Sequence, residues 1–187
     1  MIYKTSVGAA LDADKVVASI IKRDGSKLNV TVSEVNGTAI TATNKTVVDN
    51  ILGQPVTFRV VDGEYEFKTL SASNTAGYAN YATASVAYTQ GSKNYDGKEI
   101  SDQAVVFVYD DTNKDADVLT GSELKKATGT FGTITSGTVA DPYLYDTEND
   151  FTYVFCMAVK ANLKDLTTKG GNYAYLLSDA WEDNIDG

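Results

Sequence analysis

Histidine is absent from this chain of 187 residues, and its absence excludes several kinds of chemistry. Histidine is the usual general base near neutral pH and the commonest transition-metal ligand in proteins. Nucleophile systems of the Ser-His-Asp and Cys-His kinds therefore cannot be assembled within the chain, and a zinc site built on histidine is excluded with them. We accordingly expect the protein not to be an enzyme and to have no catalytic residues.

Cysteine occurs once, as Cys156, inside the apolar run Phe151–Val159. A single cysteine forms no intrachain disulfide, and it excludes a cysteine-rich zinc site. A reactive thiol would need a cationic neighbour, and none is close in the sequence. We therefore expect Cys156 to pack as a small buried side chain.

Positive charge and long apolar runs are also scarce. The chain has 16 Lys and Arg residues against 25 Asp and Glu residues, which gives a formal net charge of -9. Negative charge repels phosphate backbones and anionic lipid surfaces, so nucleic acid and membrane are disfavoured as partners. No apolar run approaches the ~20 residues that a membrane-spanning helix needs. A cation, a basic polymer or solubility alone fits the charge better.

Alternating apolar and polar residues dominate the rest of the sequence, and only 2 prolines interrupt them. In Val56–Leu70, two such runs flank Asp62-Gly63, which predicts an antiparallel hairpin with a tight turn. Asn36-Gly37 predicts a second hairpin in the same way. The near-continuous apolar run Ala104–Tyr109 predicts a strand covered on both faces, and Ser122 is a candidate helix N-cap.

These patterns predict a mainly β fold. Antiparallel hairpins are expected to form two small units, each a barrel or a sandwich, with one or two short helical turns. Small polar residues at Ser71–Gly77 mark the boundary, so the first unit is predicted over residues 1–72 and the second over 73–170. Residues 171–187 are predicted to begin a further strand or a linker, as in a piece of a longer protein.

One acid-rich segment has the spacing of a calcium-binding loop. Asp111, Asn113, Asp115 and Asp117 fall at positions 1, 3, 5 and 7 of an EF-hand-like pattern, where alternate oxygens converge on the ion. The segment departs from the motif, because Ala116 stands where glycine is expected and the final glutamate is displaced by one residue. The four residues are the candidate calcium ligands, and a solvated loop after a strand is the alternative interpretation.

Other acidic and aromatic residues leave a glycan-binding alternative open. Asp146, Glu148 and Asp150 alternate just before a strand, and exposed members of the 12 tyrosines could stack on sugars. Glycoside hydrolysis would need two carboxylates across a cleft, and the sequence places no such pair. A charged strand entry and half-buried packing tyrosines are the simpler interpretations.

The run Leu52–Lys68 resembles a segment repeated in large Gram-positive cell-surface proteins that carry S-layer homology domains. It contains the pattern G-x-x-V-x-[YF]-x-V, a turn and Y-x-[LF]-K, as Gly53-Gln54-Pro55-Val56-Thr57-Phe58-Arg59-Val60 and Tyr65-Glu66-Phe67-Lys68. Three further segments are similar to later parts of that region, namely Ala104–Tyr109, Thr120–Leu124 and Asn172–Asp179. The motifs are structural, and the likeness covers most of residues 50–180.

The resemblance implies an extracellular, β-rich stalk or array module on a bacterial cell surface, with no catalytic residues to carry over. Its implied partners are neighbouring domains of the same surface protein, together with cell-wall polymer or other surface proteins. The signal peptide and the anchoring repeats are expected to lie outside this sequence, so wall attachment is not assigned to these residues. The expected function is a structural, adhesion-type module, and a glycan- or calcium-binding surface module is the alternative.

Overall fold

A computed structural model describes residues 1–9, 13–134 and 141–168, and most of these residues lie in β-strands. The strands are β1 Ile2–Val7, β2 Val16–Ile21, β3 Lys27–Val35, β4 Thr38–Ala39, β5 Val56–Val61, β6 Glu64–Thr69, β7 Asn80–Ala84, β8 Asn94–Tyr95, β9 Lys98–Asp110, β10 Asp115–Thr120, β11 Ala127–Thr128, β12 Phe131–Gly132, β13 Asp141–Glu148, β14 Phe151–Ala161 and β15 Thr167–Thr168. The helical segments are a 3-10 turn Ala42–Asn44, α1 Thr46–Asp49 and α2 Gly121–Lys126. The predicted mainly β fold with short helical turns is confirmed.

The first sheet has the strand order β1-β2-β3-β6-β5, and β4 pairs with β3. The predicted hairpin at Val56–Leu70 is present as β5–β6, with Asp62 and Gly63 at φ angles of 51° and 82° that suit a tight hairpin turn. The hairpin at Asn36-Gly37 is also present, but its second strand, β4, pairs over only two residues. Strands β3 and β6 pair in parallel, so the sheet is mixed rather than purely antiparallel.

The second sheet has the strand order β10-β9-β14-β13-β7, with β12 paired to β14 and β8 to β9. Its central pair, β9 and β14, is parallel. The predicted strand Ala104–Tyr109 forms the second half of β9 and is covered on both faces. Val106 and Val108 face one cluster of buried side chains, whereas Phe107 and Tyr109 face another. Continuous apolar sequence is the expected pattern for a strand in this position.

The two sheets share a set of buried residues that we call the junction cluster. Its members come from both sheets and are Met1, Ile21, Leu70, Phe107, Tyr109, Ala116, Ile134, Leu144, Cys156 and Ala158. Cys156 is therefore buried as expected, and burial raises the pKa of its thiol to about 12. Packing of two sheets over a shared cluster is a sandwich-like arrangement.

The division at residue 72 coincides with the change from the first sheet to the second, although the domain boundary itself stays a prediction. The segment 171–187, including the resemblance over Asn172–Asp179, lies outside the described residues. Neither of the two α-helices in the described ranges is long and apolar enough to cross a membrane.

The predicted N-cap at Ser122 is wrong by two residues. Helix α2 is capped by Thr120, whose hydroxyl accepts a hydrogen bond from the Glu123 amide while its own amide donates to the Glu123 carboxylate. This reciprocal capping box satisfies two backbone donors at once, which a cap at Ser122 would not do. Gly121 follows the cap because a Cβ there would lie 1.9 Å from the backbone oxygen of Ser101.

Candidate functional site

The acid-rich segment forms the loop between β9 and β10, and Asp110 organises it. Asp110 is only 1% exposed, and its carboxylate accepts hydrogen bonds from the Asn113 amide at 2.8 Å and from the Leu163 amide at 3.0 Å. Burial opposes ionisation of this group, but these hydrogen bonds prevail and hold its pKa below the usual range. Asp110 is not among the predicted calcium ligands, although aspartate is a favoured first residue of a β-turn.

The four predicted calcium ligands are placed in separate contacts. The Asp111 carboxylate pairs with Lys114 and, at 3.0 Å, with the Lys160 Nζ. The Lys114 ammonium, together with Lys160, holds the pKa of Asp111 well below its usual value. Asp115 pairs with the Lys27 Nζ at 2.7 Å, a contact that joins the two sheets.

The remaining two predicted ligands also have other contacts. The Asn113 side-chain amide donates to the Asp110 carboxylate at 2.8 Å, and the Asp117 carboxylate accepts a hydrogen bond from the neighbouring Val118 amide. Within residues 1–9, 13–134 and 141–168, no group of three or more His, Cys, Asp or Glu residues is arranged to hold a metal ion. The calcium site stays a prediction, and calcium would have to compete with the lysine pairs of Asp111 and Asp115.

A row of aromatic side chains lies on one side of β14. Phe151, Tyr153 and Phe155 alternate along the strand, so they project from the same side. Their ring centroids are separated by 6.5 Å and 6.4 Å, and Tyr78 stacks on Phe155 at 5.8 Å. Phe151 is 62% exposed, an unusual value for so large an apolar ring. We call these four residues the aromatic face.

Acidic side chains surround the aromatic face. In the strand register, Glu99 of β9 and Asp146 of β13 are the neighbours of Tyr153 on its two sides. Glu148 is the register partner of Phe151. Asp146 and Glu148 therefore lie at the end of β13 and Asp150 in the turn before β14, and the exposed Glu148 stands beside the Phe151 ring.

The aromatic face borders a depression of about 330 Å³. Lys125 lies in it and pairs with Asp102 at 2.8 Å, which lowers the pKa of Asp102. In the part of the chain that the structure describes, the side chains of Glu99 and Glu148 form no hydrogen bond or ion pair. The residues that line the depression include Glu99, Asp102, Lys125, Glu148, Tyr153 and Phe155.

The edge of the first sheet carries the other large exposed apolar surface. Phe58 and Val60 of β5 are 45% and 52% exposed, although both belong to a strand. The Phe58 ring stacks on Tyr65 at 5.2 Å and lies 6.3 Å from Phe67. Beside them, an apolar groove of about 560 Å³ extends to Met1 of the junction cluster.

One carboxyl group has a strongly raised pKa, and it has a structural role. Burial raises the pKa of Asp141 to about 6, although a hydrogen bond from the Ile134 amide at 2.8 Å favours the ionised form. Asp141 is buried, and this bond ties the first residue of β13 to the second residue after β12. A perturbed carboxyl can mark an active site, but here the hydrogen bond accounts for its position.

Comparison with known proteins identifies no relative for this fold or for either surface. No protein-family model matches the chain, no curated protein matches it, and no solved structure matches it. The resemblance to the central region of S-layer-homology-domain proteins therefore stays a prediction.

Proposed function

We propose that this chain is a non-catalytic structural and interaction module of a bacterial cell-surface protein of the S-layer type. Neighbouring domains of the same protein would be its first partners, and cell-wall polymer or other surface proteins its further ones. The proposal is supported by the β fold, the acidic charge and the resemblance carried by Leu52–Lys68. The observation that carries it is the exposed edge strand β5.

Strand β5 has the properties of a site for strand addition. It is the last strand of the first sheet and pairs in the described structure only with β6. Its register with β6 runs unbroken from Val56 to Val61, so it has no bulge, and its single charged residue, Arg59, is paired with Glu66 of β6. Bulges and several charges normally protect an exposed edge, whereas an edge that has few of these devices can accept a strand from a partner. Exposed Phe58 and Val60 would add apolar contact to the backbone hydrogen bonds.

The non-catalytic part of the proposal follows from the composition. Without histidine, a general base near neutral pH would be a carboxyl with a raised pKa or an amine with a lowered one. Asp141 and the Met1 amine have such pKa values, but both groups are buried, Asp141 against the Ile134 amide and Met1 against the Ile21 carbonyl. The carboxylates around the depression stand beside Lys125 and open solvent, an arrangement that suits binding better than proton transfer.

Antibody labelling of the producing cells tests the proposal. We expect antibodies against the β5–β6 hairpin to label intact cells, and fractionation to place the native protein with the cell wall or the medium. Labelling only after lysis, with the protein confined to the cytosolic fraction, would contradict the proposal.

A second candidate function is glycan binding, and the aromatic face specifically favours it. A row of rings, of which Phe151 is exposed and the others are half-buried, bordered by hydrogen-bonding side chains, is the kind of surface on which the apolar faces of sugar rings pack. This function is compatible with the first, because a surface module can join neighbouring domains and also contact wall polymer.

A further inference from the structure

We propose that the depression on the aromatic face binds a glycan whose sugar units carry free amino groups, such as a glucosamine polymer. The inference rests on the second candidate function and adds a ligand class to it. It is argued from the exposed rings, from the charge of the surrounding side chains and from the mixture of donors and acceptors in the depression.

The rings supply an apolar floor made of separate faces, since the ring planes of Phe151 and Tyr153 are inclined by 44° and those of Tyr153 and Phe155 by 65°. Tyr153 is half-buried between β9 and β13, so its orientation is fixed by its neighbours, while Phe151 extends the apolar surface toward solvent. Phe155 is held by Tyr78 at 5.8 Å. Because these contacts exist before any ligand arrives, stacking of a sugar ring would cost little side-chain entropy.

The charge around the floor selects for a cation. Glu99, Asp102 and Glu148 bring three carboxylates to the depression, and Lys125 brings one ammonium that is paired with Asp102. In the described residues, Glu99 and Glu148 have no such pairing. Asp146 adds a further carboxylate beside Tyr153. A protonated amine would form charge-assisted hydrogen bonds with these groups, and the chain's net charge of -9 would attract it.

The remaining polar groups suit the hydroxyl groups of a sugar. Ser101 and Asn149 also line the depression, and both can donate and accept hydrogen bonds, as sugar hydroxyls do. A volume of about 330 Å³ is near the lower end for ligand sites, which suits one part of a slender polymer better than a folded partner. A basic peptide could use the carboxylates and pair its backbone with Ser101 and Asn149, so an oligolysine peptide is the competing probe in the test.

Calorimetry with matched oligosaccharides tests the proposal. The probes are short β-linked oligomers of glucosamine, of N-acetylglucosamine and of glucose, together with an oligolysine peptide, at mildly acidic pH and low salt. We expect the glucosamine oligomer to bind about tenfold more tightly than either neutral oligomer, since several modest exposed ion pairs act together. It should also bind more tightly than oligolysine, because the peptide cannot use the ring floor.

Matched variants locate the site. Tyr153→Ala should weaken glucosamine binding about tenfold by removing the stacking surface, and Tyr153→Phe should retain most of it. Glu148→Gln should weaken binding of the glucosamine oligomer but leave binding of the neutral oligomers unchanged. Two controls away from the depression, Val86→Ala for an exposed apolar side chain and Asp62→Asn for an exposed charge, should bind like the unmodified protein.

Several results would overturn the proposal. They are absence of binding by the folded protein, equal affinity for the acetylated and free-amine oligomers, equal affinity for oligolysine, or binding that survives Tyr153→Ala. Circular dichroism of each variant identifies loss of fold, and Tyr153→Phe keeps the site testable if the alanine variant unfolds. Failure here would leave the cell-surface labelling result untouched, so the two proposals can fail separately.

Discussion

In the 187-residue chain, the buried amino group of Met1 predicts an unusual pH dependence of stability. Met1 is only 5% exposed, and its amine donates a hydrogen bond to the Ile21 carbonyl at 2.9 Å inside the junction cluster. Burial lowers the pKa of the amine from 8.0 to about 5. The folded protein therefore holds a neutral amine at neutral pH, whereas the unfolded chain holds an ammonium.

The sign of the effect follows from proton binding. Between about pH 5 and pH 8 the unfolded chain binds more protons than the folded one, so the free energy of unfolding rises with pH in this window. It levels off above pH 8 and is lowest below pH 5, where both states are protonated. The full change corresponds to about 4 kcal/mol, at 1.36 kcal/mol for each pH unit of difference between the two states.

Titration of Asp141 changes the free energy of unfolding in the opposite direction. It therefore limits the pH range in which the effect of Met1 can be measured. The pKa of Asp141 is raised to about 6, so the folded state binds more protons than the unfolded one between its ordinary pKa and that value. Its contribution therefore falls as pH rises to about 6 and is nearly constant above it. Between about pH 6.5 and 8 the Met1 amine dominates the two, and we expect it to add roughly 1.5 kcal/mol.

The assay is urea unfolding across this window, with Met1 retained, compared with the same chain acetylated at its N-terminus. Acetylation removes the titrating group, so the acetylated chain should lack the rise in stability even if the added group lowers its stability uniformly. The slope is therefore the measurement, not the absolute value. A free-amine chain without the rise, or an acetylated chain that keeps it, would refute the reasoning that burial at the junction neutralises Met1.

Three further predictions concern packing, the β9–β10 loop and the edge strand. In denaturant unfolding, Gly121→Ala should destabilise the fold by about 1–3 kcal/mol, because the added Cβ meets the Ser101 carbonyl. The control Gly132→Ala should be tolerated, since the nearest atom to its added Cβ is 3.9 Å away. Asp110→Ala should cost about 2–3 kcal/mol, since buried donors lose a charged acceptor, and hydrogen exchange at the loop amides should quicken. Val60→Lys should change unfolding by under about 0.5 kcal/mol but abolish capture of a neighbouring domain of the same protein.

Each of these has a result that would count against it. Equal destabilisation by the two glycine variants would show that the close approach at α2 is not rigid. Unchanged exchange after Asp110→Ala would mean that the loop is held by its lysine pairs instead. Undiminished capture by Val60→Lys would remove strand addition at β5 as the mode of association.

Local turn chemistry made part of the fold predictable. Asp62-Gly63 and Asn36-Gly37 adopt the positive φ angles that such pairs favour, so both hairpins could be located from the sequence. The parallel pairs β3–β6 and β9–β14 could not, because their strands are brought together by packing across long loops rather than by a turn. The cap at Thr120 had a sequence signal, because threonine three residues before Glu123 is the pattern of a capping box. Ser122, directly before Glu123, is also a favoured N-cap residue and was predicted instead.

The candidate sites were harder to predict than the fold. The alternating acids at Asp111–Asp117 have a calcium-like spacing, but spacing does not reveal the nearby lysines of other strands that pair with them. Conversely, the aromatic residues of β14 were visible in the sequence as an apolar run, and nothing in the run distinguished exposed rings from core. Whether a ring of β14 is exposed or buried depends on the side chains of the neighbouring strands β9 and β13, and on where the alternation of β14 is interrupted.

A single irregularity in β14 explains how one side of this strand is surface at one end and core at the other. The pairing of β14 with both of its neighbours, β9 and β13, shifts between Val154 and Cys156, and relative to β13 the extra residue is Phe155 of β14. Before the shift, the even-numbered Val154 packs in the cluster on one side of the sheet, and after it the odd-numbered Met157 does. The other side therefore presents Tyr153 before the shift and Cys156 in the junction cluster after it. With strict alternation, either Cys156 would leave the junction or Tyr153 would be buried, so the bulge is what allows the strand to support both the shared core and the aromatic face.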